Sequence, residues 1–179
     1  MKKKIALVAV VVASLSYFWP LATVVRADEK PVGSITGTIS VQGVRSPENV
    51  LVYIERAPGS YPPPKEVAHM DQEKLMFVPH VLPIVKGTAV EFLNSDSLLH
   101  NVFWPKNKSY RARNLGTWGK GGKKKITFSK EGELVLLCNV HPEMEGHIVV
   151  LQNPFFALVG KEGSYKIDDV PAGKYTVKT

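Results

Sequence analysis

The sequence holds a single cysteine in 179 residues. That excludes an internal disulfide framework, a CxxC redox motif and a multi-Cys zinc ribbon, and it excludes any binuclear centre that shares two thiolates. Helical signals are missing too. No stretch of ten or more residues combines a 3.6-residue apolar period with a plausible cap. No general acid/base pair of the kind used in hydrolysis stands out, since Asp168-Asp169 and Glu143/Glu145 read as solvated strand or loop edges. A non-enzymatic role is therefore expected. There is no internal repeat, and 44% hydrophobic with 22% charged residues is the balance of a folded chain.

The first 27 residues read as an address label. Lys2, Lys3 and Lys4 precede an apolar run from Ile5 to Val25, which closes on Val25-Arg26-Ala27. That is the pattern of a secretory signal peptide with an A-x-A-like cleavage site. The alternative is an uncleaved membrane anchor, because the run is about long enough to span a bilayer. Cleavage takes away four of the 23 basic residues and none of the 16 acidic ones, so the net charge falls from +7 to +3. Export, to a periplasm or beyond, is the expectation, with no stable membrane insertion after cleavage and no nucleic acid as partner. A lone thiol in an oxidising compartment is unusual unless something occupies the sulfur.

The remainder reads as all-β. Short alternating or apolar runs lie between Gly, Pro, Asn and Ser: residues 34–42, 49–55, 89–94, 100–104, 124–129, 133–138, 147–152, 164–168 and 174–178. Two-residue alternation is clear in Val90/Phe92, Ile126/Phe128, Tyr165/Ile167 and Tyr175/Val177. Strands this short and this frequent predict a Greek-key β-sandwich. Pro62-Pro63-Pro64 is a stiff spacer and Asn153-Pro154 a second break. Between them lies a block, residues 65–153, long enough for a small sandwich.

One constellation carries chemistry. Cys138, His141 and Met144 follow Cys-x2-His-x2-Met spacing where one strand ends and before the next begins at His147. His100 lies 38 residues upstream of the cysteine, at the start of His100-Asn101-Val102-Phe103-Trp104. One thiolate, two imidazoles and one thioether suit a blue-copper site, with a His2Cys plane and a weak axial Met. Soft sulfur ligands favour copper over calcium or magnesium. Three ligands on one loop, with the fourth on a neighbouring strand, give a site whose geometry changes little with oxidation state. The rival for Cys138 is an inert core thiol, and for Met144 simple packing. His147 reads as a strand residue with a satisfied ring. His69, Met70 and His80 raise a second metal site, but their spacing fits no defensible motif, and the Phe77-to-Val81 run around His80 reads as strand.

The pattern resembles the cupredoxins, and the short ligand loop is similar to that of amicyanin. Met70-Asp71-Gln72, Phe77-Val78-Pro79-His80-Val81-Leu82, Phe92-Leu93-Asn94-Ser95-Asp96, His100-Asn101-Val102 and Cys138-Asn139-Val140-His141 resemble exported methylamine-utilisation-type cupredoxin-like proteins. The resemblance implies that His100, Cys138, His141 and Met144 are the metal ligands. It implies that Asn101 pins the ligand loop from behind, that the ring edge of His141 reaches the surface as the electron exit, and that Pro142 joins an apolar docking patch. The flanks resemble a different unit. Ile35-Thr36-Gly37-Thr38-Ile39 and Asn49-Val50-Leu51-Val52-Tyr53 look like the opening of a carboxypeptidase-regulatory, transthyretin-like domain. Gly163 to Val177 looks like its closing half. Two organisations follow. The copper block, 65–153, is inserted between residues 33–56 and 155–179 of a small transthyretin-like β-domain, or the whole is one enlarged sandwich. Because proteins of this type usually continue past the last strand seen here, a truncated end at Thr179 is expected.

Residues 106–125 carry eight Lys and Arg and no acidic residue, with Gly116, Gly119, Gly121 and Gly122 among them. This reads as a flexible basic loop, either steering an acidic redox partner toward the site or simply keeping the protein soluble. The function expected is that of an exported type 1 copper protein carrying single electrons. Two alternatives stand beside it: a copper-handling chaperone or store, and a non-redox interaction module.

Overall fold

The computed structural model describes residues 31–43 and 46–179. The expected signal peptide lies outside the described residues. Every regular element among them is a strand: β1 Val32–Thr38, β2 Leu51–Ile54, β3 Ala68–Glu73, β4 Met76–Val78, β5 Val81–Val85, β6 Ala89–Leu93, β7 His100–Trp104, β8 Arg113–Trp118, β9 Lys123–Thr127, β10 Gly132–Leu137, β11 Glu145–Leu151, β12 Phe156–Leu158, β13 Ser164–Pro171 and β14 Val177–Lys178. The all-β sandwich expected from the sequence is what the chain forms.

Two sheets make the sandwich. One has the order β5-β11-β10-β7-β8, the other β4-β3-β6-β9. Their facing sides are built by period-2 alternation. Val90 and Phe92 of β6, Leu134 and Leu136 of β10, and Gly146, Ile148 and Val150 of β11 point inward and are buried, while Glu91, Val135, His147 and Val149 between them are only half-buried. Met70, Phe77, Val102, Trp104, Phe128 and Met144 complete this core. Gly146 is required by packing: a Cβ there would lie 2.6 Å from Cβ of Phe77. The two strand pairings that are parallel, β11 with β5 and β3 with β6, bring non-consecutive segments together.

A second, separate core contains Val52, Ile54, Ala57, Phe155, Val159, Ile167 and Val170. Its sheets are β1-β13 and β12-β2-β14, so each pairs chain from before the sandwich with chain from after it. Gln152 stitches the chain leaving the sandwich to Ala57 of this second core, and Asn153 anchors it there. The buried Nδ2 of Asn153 donates to the Ile54 carbonyl at 2.9 Å, and its Oδ1 accepts from the Phe155 N–H at 3.1 Å.

Several sequence expectations need correction. Residues 106–125 are not one flexible loop. They contain β8, paired with β7, and the start of β9, paired with β6. β8 escaped notice because its mostly exposed residues, Arg-Asn-Leu-Gly-Thr-Trp, lack apolar alternation; its conformation is set by the ladder to β7. The run from Phe77 to Val81 is not one strand but two, β4 and β5, broken at Pro79-His80. β5 carries Pro83, which an edge strand tolerates. The run 174–178 shrinks to the two residues of β14, and β3 and β12 arise where no strand was expected.

Candidate metal centre

The inward alternation of β10 does not stop at its end. Leu134, Leu136 and then Cys138 face the core, so the strand delivers the thiol to the rim of the sandwich. β7 delivers His100 as its first residue, fully buried, beside that rim. The chain between Cys138 and β11 is a tight turn closed by the Met144 N–H donating to the His141 carbonyl at 3.0 Å. The turn brings His141 back over the site and drops Met144 into the core, where it is buried.

One ligand atom from each of His100, Cys138 and His141 lies within 4.8 Å of the others. The two imidazoles present Nδ1 to Nδ1 at 3.1 Å. The other nitrogen of His100, Nε2, is 2.8 Å from Oδ2 of Asp96. An ionised carboxylate only accepts, so in a neutral His100 ring this nitrogen carries the proton and Nδ1 is the lone pair. Two imidazole nitrogens facing so closely, with a thiol as third corner, are a donor set that asks for a cation between them. Soft sulfur with two imidazoles fits copper. The ring of His141 is half-buried, so one edge of the site meets the surface, while His100 and Cys138 do not.

Asn101 lies behind this cluster. Its buried Nδ2 donates to Oδ1 of Asn114 and to the Gly116 carbonyl, both at 2.8 Å. Its Oδ1 accepts from the N–H of Asn139, the residue after Cys138, at 3.3 Å, and its own N–H points at the Cys138 sulfur at 3.4 Å. One side chain thus ties β8 to the ligand turn, and the same residue's backbone gives the thiolate a donor.

Asp96 was not singled out by sequence reasoning. Its only signal there is a carboxylate four residues before a candidate histidine ligand. Hydrogen bonds from the backbone of Leu75, above all, hold its carboxyl below the usual carboxylate range, with Lys74 and His100 adding to the effect and desolvation opposing it.

The other histidines go elsewhere. His147 lies between Glu133 and Glu145, at 3.3 and 3.2 Å, and packs edge-on to His80. His69 faces Glu91 at 3.9 Å and Met70 is buried in the core. His69, Met70 and His80 therefore sit in three different surroundings. The basic segment is likewise divided. Lys123 pairs with Leu93 near the ligand end, and Gly119 packs on Leu99, whereas Arg113 pairs with Trp104 at the opposite end of β7. Leu98, Leu99 and Val140 are exposed apolar residues adjacent in the chain to His100 and His141.

Residues 65–151 match the family of copper binding proteins that includes plastocyanin and azurin. This part of the chain, just under half of it, is a cupredoxin-like, copper-binding module. Among solved structures, the chain is similar to the Cu-containing nitrite reductase from Thermus scotoductus SA-01, with 30% identity and a TM-score of 0.46 over 54% of this chain and 25% of that one. It thus spans about a quarter of the reductase. A reduced Cu(I) form of an amicyanin mutant is 23% identical, with a TM-score of 0.45 over 55% of this chain and 97% of that one. A purple cupredoxin from Nitrosopumilus maritimus is 23% identical, with a TM-score of 0.41 over 46% and 98%. No curated protein sequence matches the chain.

Proposed function

We propose that the protein is an exported one-electron carrier whose single copper is held by His100, Cys138, His141 and Met144. The observation that carries this reading is the convergence of two imidazoles and one thiol on a single rim of the sandwich. Copper supplies the Cu(II)/Cu(I) couple. The chain supplies a buried thiolate and imidazole, an Asn101 brace, and one half-exposed ring, His141, for electrons to leave through. Leu98, Leu99, Val140 and Pro142 make the docking face for a redox partner. Lys120 and Lys123 at that end favour an acidic one, although Lys123 is already paired with Glu91 at 3.2 Å. We place residues 65–153 as a block inserted in a host β-domain formed by 33–56 and 155–179, because the strands of the second core come from both sides of the block. The copper-handling reading would be favoured by an exposed Met or His cluster, and of its one candidate pair, His69-Met70, Met70 is buried in the core, which favours the carrier.

Adding Cu(II) to the metal-free protein is expected to give an intense thiolate-to-copper visible band and a narrow copper hyperfine splitting in paramagnetic resonance. A pale, ordinary copper spectrum would remove the blue-copper reading. Met144→Leu is expected to keep the colour and raise the reduction potential, since losing an electron-rich thioether donor would disfavour Cu(II). A ten-fold shift in the Cu(II)/Cu(I) affinity ratio corresponds to about 59 mV for one electron. Voltammetry showing no change would take Met144 out of the ligand set.

A further inference from the structure

We propose that Asp96 is a positioning residue of the metal site, which fixes the tautomer of His100 and biases the bound metal toward Cu(II). The inference rests on the reading of His100 as a copper ligand. Three contacts converge on this one carboxylate. Oδ1 accepts from the Lys74 N–H at 2.8 Å; Oδ2 accepts from the Leu75 N–H at 3.0 Å and from His100 Nε2 at 2.8 Å. The two backbone donors come from the turn between β3 and β4, where Lys74 and Leu75 both adopt left-handed φ values of 53° and 59°. Such angles are uncommon outside glycine, asparagine and aspartate. Adopting them aims two consecutive N–H groups at one carboxylate.

The carboxylate is itself held from its own side. Its N–H donates to the Gln72 carbonyl at 3.2 Å and to Oδ1 of Asn94 at 2.9 Å, so Asp96 has little freedom to turn away from His100. The consequence for His100 is chemical. With Nε2–H committed to Asp96, only Nδ1 is left as a lone pair, and Nδ1 is the atom that faces His141. A histidine whose outer nitrogen donates to a carboxylate is also a more basic ligand, and an anion behind the ring favours the more highly charged metal state. Asp96 therefore does two things: it orients a ligand, and it lowers the potential.

The alternative is that Asp96 only caps the β3–β4 turn. Asp96→Asn separates the two. The amide leaves one acceptor oxygen for three donors and removes the negative charge, so the hold on Nε2–H of His100 is weakened. The first readout uses the full chain without metal. Nitrogen-15 spectra of the imidazoles should show His100 as the Nε2–H tautomer in the wild type and lose that signature in Asp96→Asn. The second readout is the potential of the copper-loaded protein. It should rise in Asp96→Asn by about a ten-fold change in the Cu(II)/Cu(I) affinity ratio, ~59 mV, and return part of the way in Asp96→Glu.

A blue Asp96→Asn protein with an unchanged potential and an unchanged His100 tautomer would overturn the proposal and leave Asp96 a turn cap. An Nδ1–H tautomer in the wild type would overturn it even where the variant does not fold. A wild type without the intense copper band would instead overturn the copper reading itself, and with it the effect on potential. The tautomer measurement on metal-free protein distinguishes these two failures.

Discussion

Cys138→Ser is expected to abolish the intense colour of the copper-loaded protein, with the visible band falling by about ten-fold or more because it arises from thiolate-to-copper charge transfer. The change is almost isosteric, and the site is prepared to accept it. Cys138 is buried, and its sulfur lies 3.4 Å from the Asn101 N–H, which a serine hydroxyl can also satisfy. The fold should therefore survive at a cost of about 1 kcal/mol, the scale of one altered hydrogen bond. His100 and His141 remain, so weak Cu(II) binding should persist with a wide hyperfine splitting. Absorbance and paramagnetic resonance of the same sample check both halves. Persistent strong colour would mean that another group supplies the charge-transfer donor, and the assigned centre would be wrong.

Phe128→Ala is expected to cost about 3–5 kcal/mol and to lower the melting temperature of the sandwich by roughly 12 °C or more. Phe128 is the hub of the aromatic part of the core. Its ring centroid lies 6.4 Å from Phe92, 6.0 Å from Trp104 and 6.0 Å from Tyr110. These rings come from different strands and loops, so no single neighbour can relax into the space left behind. Burial also pushes the Tyr110 hydroxyl up to about 12, in spite of its hydrogen bond to the Lys130 carbonyl. Trp104 and Trp118 both belong to this core and report its melting by fluorescence. A loss of only a few degrees would show that the core closes over the gap, contrary to the rigid packing described.

The legible parts of the fold were those in which burial writes directly into sequence. β6 and β10 alternate because one face of each lies on the core, and Val90/Phe92 and Leu134/Leu136 carry that alternation in their residue types. The convergence of His100, Cys138 and His141 was legible for a related reason. Cysteine, histidine and methionine at short spacing are chemically distinctive, and a β-turn after a strand suffices to gather them. β8 was illegible because Arg113-Asn114-Leu115-Gly116-Thr117-Trp118 is mostly exposed and lacks apolar alternation, and its hydrogen bonds to β7 make it a strand. β3 was illegible because Ala-His-Met-Asp-Gln-Glu alternates buried and half-buried positions using polar residues such as Gln72, which is fully buried and whose Nε2 donates to the Leu93 carbonyl. Asp96 is one acidic residue among 16 in the sequence. Its role comes from what it touches: a turn 21 residues earlier and a histidine ring.

The stitch at Gln152 has a consequence for the order in which the chain acquires its shape. The side-chain amide of Gln152 both accepts from the Ala57 N–H and donates to the Ala57 carbonyl, each at 3.1 Å, so the two strands of chain leading into and out of the sandwich run side by side. To the second core, everything between those points is one long loop. If that loop were a floppy polymer of on the order of 100 residues, shutting it so that β2 could meet β12 would cost about 4 kcal/mol by (3/2)RT ln n alone. A sandwich that has already condensed presents its two ends together and removes nearly all of that entropy. The outer strands are thus expected to zip up only after the copper-binding sandwich has formed, and to come apart when it melts.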